Sequence, residues 1–185
     1  MADSALLLID IQNDYFPGGK WVLHEPEEAA AKAARVLADY RRTGLPVFHI
    51  RHESLQPGAA FFLPGTSGAD IHPLVAPVEG ERVLLKHVPN AFFGTGLHEE
   101  LQAAGIKHLT VCGMMTHMCI DTSVRAARDY GYTVTLLEDA CATRDLEWQG
   151  ERLPADTVQK TMLAALNGTF ARIMRVEPYL VETGL

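Results

Sequence analysis

Three residues in this sequence have the chemistry of a nucleophilic site and share one kind of position. Cys119 stands in "VCGMMTHMCIDTSVRAARDYG", Val111 to Gly131. There a β-branched run, Leu109 to Cys112, stops at Gly113, and a short turn leads into an amphipathic helix with Cys119 in its first turn. The thiolate is the nucleophilic form of cysteine, and a helix N-terminus favours it. The Thr116 hydroxyl is placed to cap that helix. Asp10 directly follows "ALLLI" and Lys86 directly follows "RVLL". A carboxylate beside a thiol takes its proton, and an ammonium group nearby stabilises the resulting charge. Taken singly, each has a plainer reading: a loop cap for the aspartate, a solvated lysine, a cysteine packed as a small hydrophobe. Cys112 and Cys141 fit that last reading. The plainer readings do not account for three such residues at one edge of a sheet. Asp10 also suggests an aspartyl-phosphate enzyme, but that pattern needs a second aspartate two residues on, where Gln12 stands.

The elements that must position these groups are legible as an alternation. Strands are predicted at Ala5 to Ile9, Pro46 to Ile50, Arg82 to Leu85, Leu109 to Cys112, Thr133 to Leu137 and Ala171 to Val176. Helices are predicted at Glu27 to Thr43, Gly96 to Ala104, His117 to Tyr130 and Asp156 to Leu166. Gly44, Gly105 and Gly131 follow helices as C-terminal caps do. The strands are continuously apolar rather than alternating, the mark of a parallel sheet covered on both faces. The pattern is that of an α/β doubly wound fold, in which ligands bind beyond the carboxyl ends of the strands where their order reverses. With the order 3-2-1-4-5-6, the first and fourth strands are neighbours. Asp10 and Cys119 then face each other, and Lys86 reaches in from the third strand. Two segments break the rhythm. Arg51 to Glu81 is a long Gly- and Pro-rich loop with no helix, read as bordering the site. Arg144 to Pro154 is read as a second rim loop.

Composition narrows the function. A chain of 185 residues is read as one domain spanning 1–185. Its net charge of −7 argues against nucleic acid or an anionic membrane as partner. Three cysteines without a repeated spacing argue against a disulfide framework and for the reducing cytoplasm. No apolar run reaches membrane-spanning length, and "MADSALLLIDIQ" has neither a basic n-region nor a cleavage site.

The segments "LLLIDIQNDYF", "KHVPNAFFGTGL" and "VCGMMTHMCIDTSVRAARDYGY" together resemble the isochorismatase-like cysteine hydrolases, the superfamily that includes nicotinamidase and N-carbamoylsarcosine amidase. The likeness runs from Ala5 to about Val176. It implies a three-layer α/β/α sandwich around a six-stranded parallel sheet, and a triad of Asp10, Lys86 and Cys119. It also implies a cis peptide between Met114 and Met115, and an oxyanion hole made by the backbone N–H groups of Met115 and Cys119.

On that resemblance, Asp10 takes the thiol proton, Cys119 attacks an amide-type carbonyl, and water hydrolyses the thioester. The expected reaction is C–N hydrolysis of a small amide, carbamoyl or ureido compound. Vinyl-ether hydrolysis on a compound such as isochorismate is the alternative, although it needs no cysteine nucleophile. A thiol sensor or binding protein is a third reading, but it leaves Asp10 and Lys86 without a task. Nicotinamidases carry a metal-binding Asp-x-His after the second strand. Here Arg51 and Glu53 take those places, and Phe61 and Phe62 stand where a histidine is expected, so neither a metal nor another cofactor is expected. His49, His52 and His72 are read as loop or core residues. His108, Cys112, His117 and Cys119 are not expected to converge on zinc. Tyr15, Phe61, Phe62, Phe92 and Phe93 are assigned to the substrate pocket. The apolar residues Leu55, Phe61, Phe62, Leu63 and Ile71 of the long loop are more than one small domain is expected to bury, which points to a homo-oligomer.

Overall fold

The apolar runs that follow Asp3, Leu45, Lys107 and Tyr132 become the inner strands of one sheet, because each is long enough to pair and too apolar to face water. The computed structural model describes residues 3–185. Its strands and helices, in chain order, are β1 (Ser4–Ile9), α1 (Pro26–Thr43), β2 (Val47–His52), β3 (Arg82–Lys86), α2 (Leu97–Ala103), β4 (His108–Met114), α3 (Asp121–Asp129), β5 (Thr133–Ala142), β6 (Leu146–Trp148), β7 (Glu151–Leu153), α4 (Ala155–Leu166), β8 (Arg172–Met174) and α5 (Val176–Thr183). The six-stranded sheet has the order β3-β2-β1-β4-β5-β8, all parallel. This is the expected doubly wound sheet, with β8 as the sixth strand because a small hairpin intervenes.

Parallel neighbours need crossover connections, whose helices cover the faces of the sheet. α1 packs on α5, where Tyr40, Thr110 and Tyr179 satisfy one another's hydroxyls at 2.8–2.9 Å above the sheet. α3 packs on α4. β1 is buried along its whole length, whereas β3 is an edge strand with Val83 and Leu85 exposed, so the expectation of strands buried on both faces fails there.

The structure corrects four other expectations. The last predicted strand shortens to β8, and Val176 opens a helix instead of ending a strand. Residues 144–154 are not an open loop: β6 and β7 pair antiparallel about Gln149 and Gly150, both at positive φ as a two-residue hairpin turn requires. The long loop contains two short 3-10 turns, Ser67–Ala69 and Pro73–Val75. It also buries more of itself than expected: Phe62 is fully buried, Phe61 and Ile71 pack partly against the core, and Leu55 and Leu63 stay exposed.

Candidate active site

Cys119 is carried by a turn that the sequence reading did not resolve. Residues Thr116–Ile120 wind as a π-helical turn before α3 begins, with the Met118 and Ile120 amides both donating to the Met115 carbonyl at 3.0 and 3.2 Å. Such turns recur at functional sites. The peptide between Met114 and Met115 is cis. Thr116 is not the cap: Met115 holds that position without a side-chain cap, and the Thr116 hydroxyl donates to the Ala142 carbonyl at 3.2 Å. Gly113 makes the approach possible. Its φ is +138°, and a Cβ there would lie 2.0 Å from the Ile9 carbonyl oxygen, so β4 passes β1 too closely for any side chain. One residue beyond Ile9, Asp10 takes a left-handed conformation at φ 52°, which aspartate tolerates better than most residues.

These turns bring the three predicted residues together. Lys86 Nζ lies 2.7 Å from Asp10 Oδ2 and 3.2 Å from Cys119 Sγ. Asp10 and Lys86 are fully buried, and Cys119 is 5% exposed. Asp10 Oδ1 is buried without a hydrogen-bond partner among the described residues. Burial raises the Asp10 carboxyl above the usual range despite the ammonium beside it. Burial by itself would lower Lys86, but Asp10 and Cys119 outweigh it and hold the ammonium above an ordinary lysine. Burial and then Asp10 push the Cys119 thiol far up, against the pull of Lys86. That reverses the expectation from a helix N-terminus. Burial thus opposes charge on both the carboxyl and the thiol, and these two in turn hold the ammonium between them in its charged form. Cys112 and Cys141 are buried as expected, and burial lifts Cys141 to about 12.

His52 is the site residue that the sequence reading missed. Its Nδ1 is 2.7 Å from Lys86 Nζ. Nothing local distinguishes it from His49 and His72, which are structural: His49 meets Glu81 at 2.8 Å and His72 stacks on Phe16. The one available signal was register, since His52 pairs with Lys86 across β2 and β3. Atoms of Asp10, His52 and Cys119 that could ligate a metal lie within 4.8 Å of one another. The Lys86 ammonium, however, stands among them as the cation of the cluster. At the places of the nicotinamidase-type ligands, Arg51 and Glu53 form an ion pair with each other, so that donor set does not fit a metal. His108 and His117 meet Thr133 and Thr143 and do not converge with the cysteines.

The predicted pocket residues separate. Tyr15, Phe61 and Phe62 form one aromatic cluster with Trp21, at centroid distances of 4.6–5.8 Å. The Tyr15 hydroxyl is raised well above its usual value by burial, then by Cys119 and Asp10, which places it in their field. Phe92 belongs elsewhere, packed on Tyr130 and Tyr132, and Phe93 is 69% exposed. Arg144, not singled out in the sequence, lies over the Trp21 ring at 4.5 Å and has no carboxylate partner among the described residues. Asp14 holds the neighbouring loop, accepting from the Phe62 amide at 2.6 Å and from the Lys20 amide at 3.1 Å.

A doubly wound parallel sheet with cysteine, aspartate and lysine gathered at its carboxyl edge places the candidate site where α/β folds of this kind bind ligands. The isochorismatase domain model matches residues 4–177, and the chain belongs to that family of hydrolases. It is 50% identical over 177 residues to the isochorismatase family protein YddQ of Bacillus subtilis, covering 96% of this chain and 98% of that one. An isochorismatase-family crystal structure from Oleispira antarctica superposes with a TM-score of 0.94 at 48% identity, over 97% of each chain. Nicotinamidase 3 of Arabidopsis thaliana is 30% identical over 155 residues, 76% of this chain and 73% of that one. Other relatives are named for hydrolysing streptothricin and ureidoacrylate.

Proposed function

We propose that this hydrolase cleaves the C–N bond of a small amide, carbamoyl or ureido compound through a thioester on Cys119. The observation that carries the reading is the Lys86 ammonium, in reach of both the Asp10 carboxylate and the Cys119 sulfur at the edge of the sheet. The unpaired Asp10 Oδ1 takes the thiol proton as Sγ bonds to the carbonyl carbon. The raised carboxyl makes Asp10 a better base than a solvated aspartate. The N–H groups of Met115 and Cys119 are the donors proposed for the carbonyl oxygen as it gains charge, worth about 3 kcal/mol each in acyl transfer. The C–N bond breaks as Asp10 returns the proton to the departing nitrogen. Water then gives a proton to Asp10 and its hydroxide to the acyl carbon, releasing the acid and restoring the thiol. Lys86 keeps the site's charge balanced throughout.

Tyr15, Phe61 and Phe62 supply the apolar wall on this reading. Relatives named for nicotinamide, streptothricin and ureidoacrylate support C–N chemistry over vinyl-ether cleavage. A thiol sensor has no use for a fully buried Asp10–Lys86 pair. Three free, buried cysteines support a reducing, cytoplasmic setting, and among the described residues no helix is long and apolar enough to cross a membrane. We take the chain as one functional domain. Exposed Leu55 and Leu63, with Val83 and Leu85 on the edge strand, support assembly into a homo-oligomer; light scattering that finds a monomer at micromolar concentration refutes that part. For the chemistry, ammonia release from a panel of small amides and ureido compounds is the test. Wild type should release ammonia from at least one compound and Cys119→Ala from none; equal release by the two overturns the assignment.

A further inference from the structure

We propose that His52, clamped by Gln12, is a positioning residue: its Nδ1 lone pair holds the Lys86 ammonium between Asp10 and Cys119. The inference rests on the reading that Lys86 supports the ionised Cys119. Lys86 Nζ has four acceptors around it: Asp10 Oδ2 and His52 Nδ1 at 2.7 Å, the Val88 carbonyl at 3.1 Å and Cys119 Sγ at 3.2 Å. An ammonium group has three protons and accepts nothing, so His52 Nδ1 must present its lone pair and carry its proton on Nε2. Four acceptors share three protons, and a long flexible side chain is held at the midpoint of the triad by pulls from several sides. Without His52, the remaining fixed pulls are Asp10 and the Val88 carbonyl, and the ammonium is free to leave the sulfur.

His52 is itself immobilised by a residue whose role the sequence left open. Gln12 is fully buried two positions after Asp10, and its amide grips the backbone of His52 from both sides. Gln12 Oε1 accepts from the His52 N–H at 2.7 Å, and Nε2 donates to the His52 carbonyl at 2.9 Å and to the Ala69 carbonyl at 2.7 Å. The end of β1 therefore fixes the end of β2, and the register of β2 with β3 sets His52 beside Lys86. Burial, with the Lys86 ammonium beside it, keeps the imidazole neutral. Asp10 and Cys119 stand on one side with Lys86, and His87 and the Arg51–Glu53 pair lie along the strand ends. Burial, then Lys86, then His87 lower His52 to about 3.

Cys119 alkylation by iodoacetamide, followed against pH, tests the proposal without a substrate. His52→Ala should slow alkylation near neutral pH by about tenfold, the change in thiolate that one pH unit in the thiol corresponds to. His52→Asn, whose Oδ1 replaces the Nδ1 acceptor, should stay within about threefold of wild type, as expected where only the acceptor matters. Alkylation of His52→Ala at the wild-type rate overturns the proposal, and so does an equal loss in both variants, which would mean a structural role. Should His52→Ala fail to fold, ring 15N spectra of wild type decide: an unprotonated Nδ1 that does not titrate between pH 8 and 5 is expected, and a protonated Nδ1 refutes it. A protein that shows this alkylation series yet hydrolyses no amide would overturn the amidase reading and leave this one standing.

Discussion

Replacing Asp10 with asparagine separates two tasks that the site combines, ionising the thiol and moving its proton. In wild type the Asp10 charge opposes a second negative charge on Cys119, while Lys86 favours it. The nearest ligand-type atoms of Asp10 and Cys119 are within 4.8 Å; at an effective dielectric of about 20, like charges at that distance repel by about 3.5 kcal/mol, or about 2.5 pH units. Asp10→Asn keeps the volume and removes the charge, leaving the thiolate as the one anion beside Lys86. Cys119 alkylation at a fixed pH below the thiol's midpoint should therefore quicken, by about a hundredfold if the cavity keeps its shape. Hydrolysis should fall too, by about 10³-fold, because no group is left to accept the thiol proton and return it to the leaving nitrogen. The paired measurement is the rate of iodoacetamide labelling of Cys119 at about pH 8 beside ammonia release at neutral pH. A thiol that becomes more reactive in an enzyme that stops turning over supports the reasoning. A labelling rate that stays or falls in the asparagine variant refutes it.

Cys119→Ala should abolish turnover with little change in the urea midpoint, because the lost sulfur is small and borders the site; unfolding of the variant would instead make Cys119 structural. Wild-type iodoacetamide labelling should reach Cys119 ahead of Cys112 and Cys141, since only Cys119 has an ammonium, that of Lys86, within 3.2 Å of its sulfur, and peptide mapping reads the order. Gly113→Ala should not fold or should lose several kcal/mol, about 3 or more, because its Cβ meets the Ile9 carbonyl and its φ is positive; near-wild-type urea stability would contradict that. Cys141, lifted by burial to about 12, binds its proton more tightly folded than unfolded. Its contribution is complete below its unfolded value and is lost as pH rises toward the folded one. Between pH 9 and 10.5 the fold should lose about 2 kcal/mol that Cys141→Ala does not lose, as read from urea titrations at the two pH values. Exhaustive chelation should leave the rate unchanged; loss of activity restored by zinc, manganese or iron would show that the Arg51–Glu53 reading is wrong.

Strand ends are local signals, and they make Asp10, Lys86 and Cys119 recognisable from the chain alone. An apolar run that stops at a charged residue or a glycine reports its own termination, and the doubly wound order follows from the alternation of such runs with helices. The C-terminal helix escapes that reading because "VEPYLVET" is short, carries a proline in its first turn and continues an apolar run. The rest of the site depends on which residues of different strands fall side by side. His52 looks like any loop histidine until β2 and β3 are paired, and Gln12 has no visible task until β1 lies beside β2. Whether Phe62 or Phe93 is buried depends on how a loop folds back over Asp14 and Tyr15, which no periodicity encodes. The charge state of Cys119 is the clearest case. Helix position alone points to a low thiol value, and only the packed surroundings show that burial and the Asp10 charge reverse it. Sequence determined which groups stand at the sheet edge, because chain termination is local. Tertiary structure decided their partners and their protonation, because register and desolvation are not.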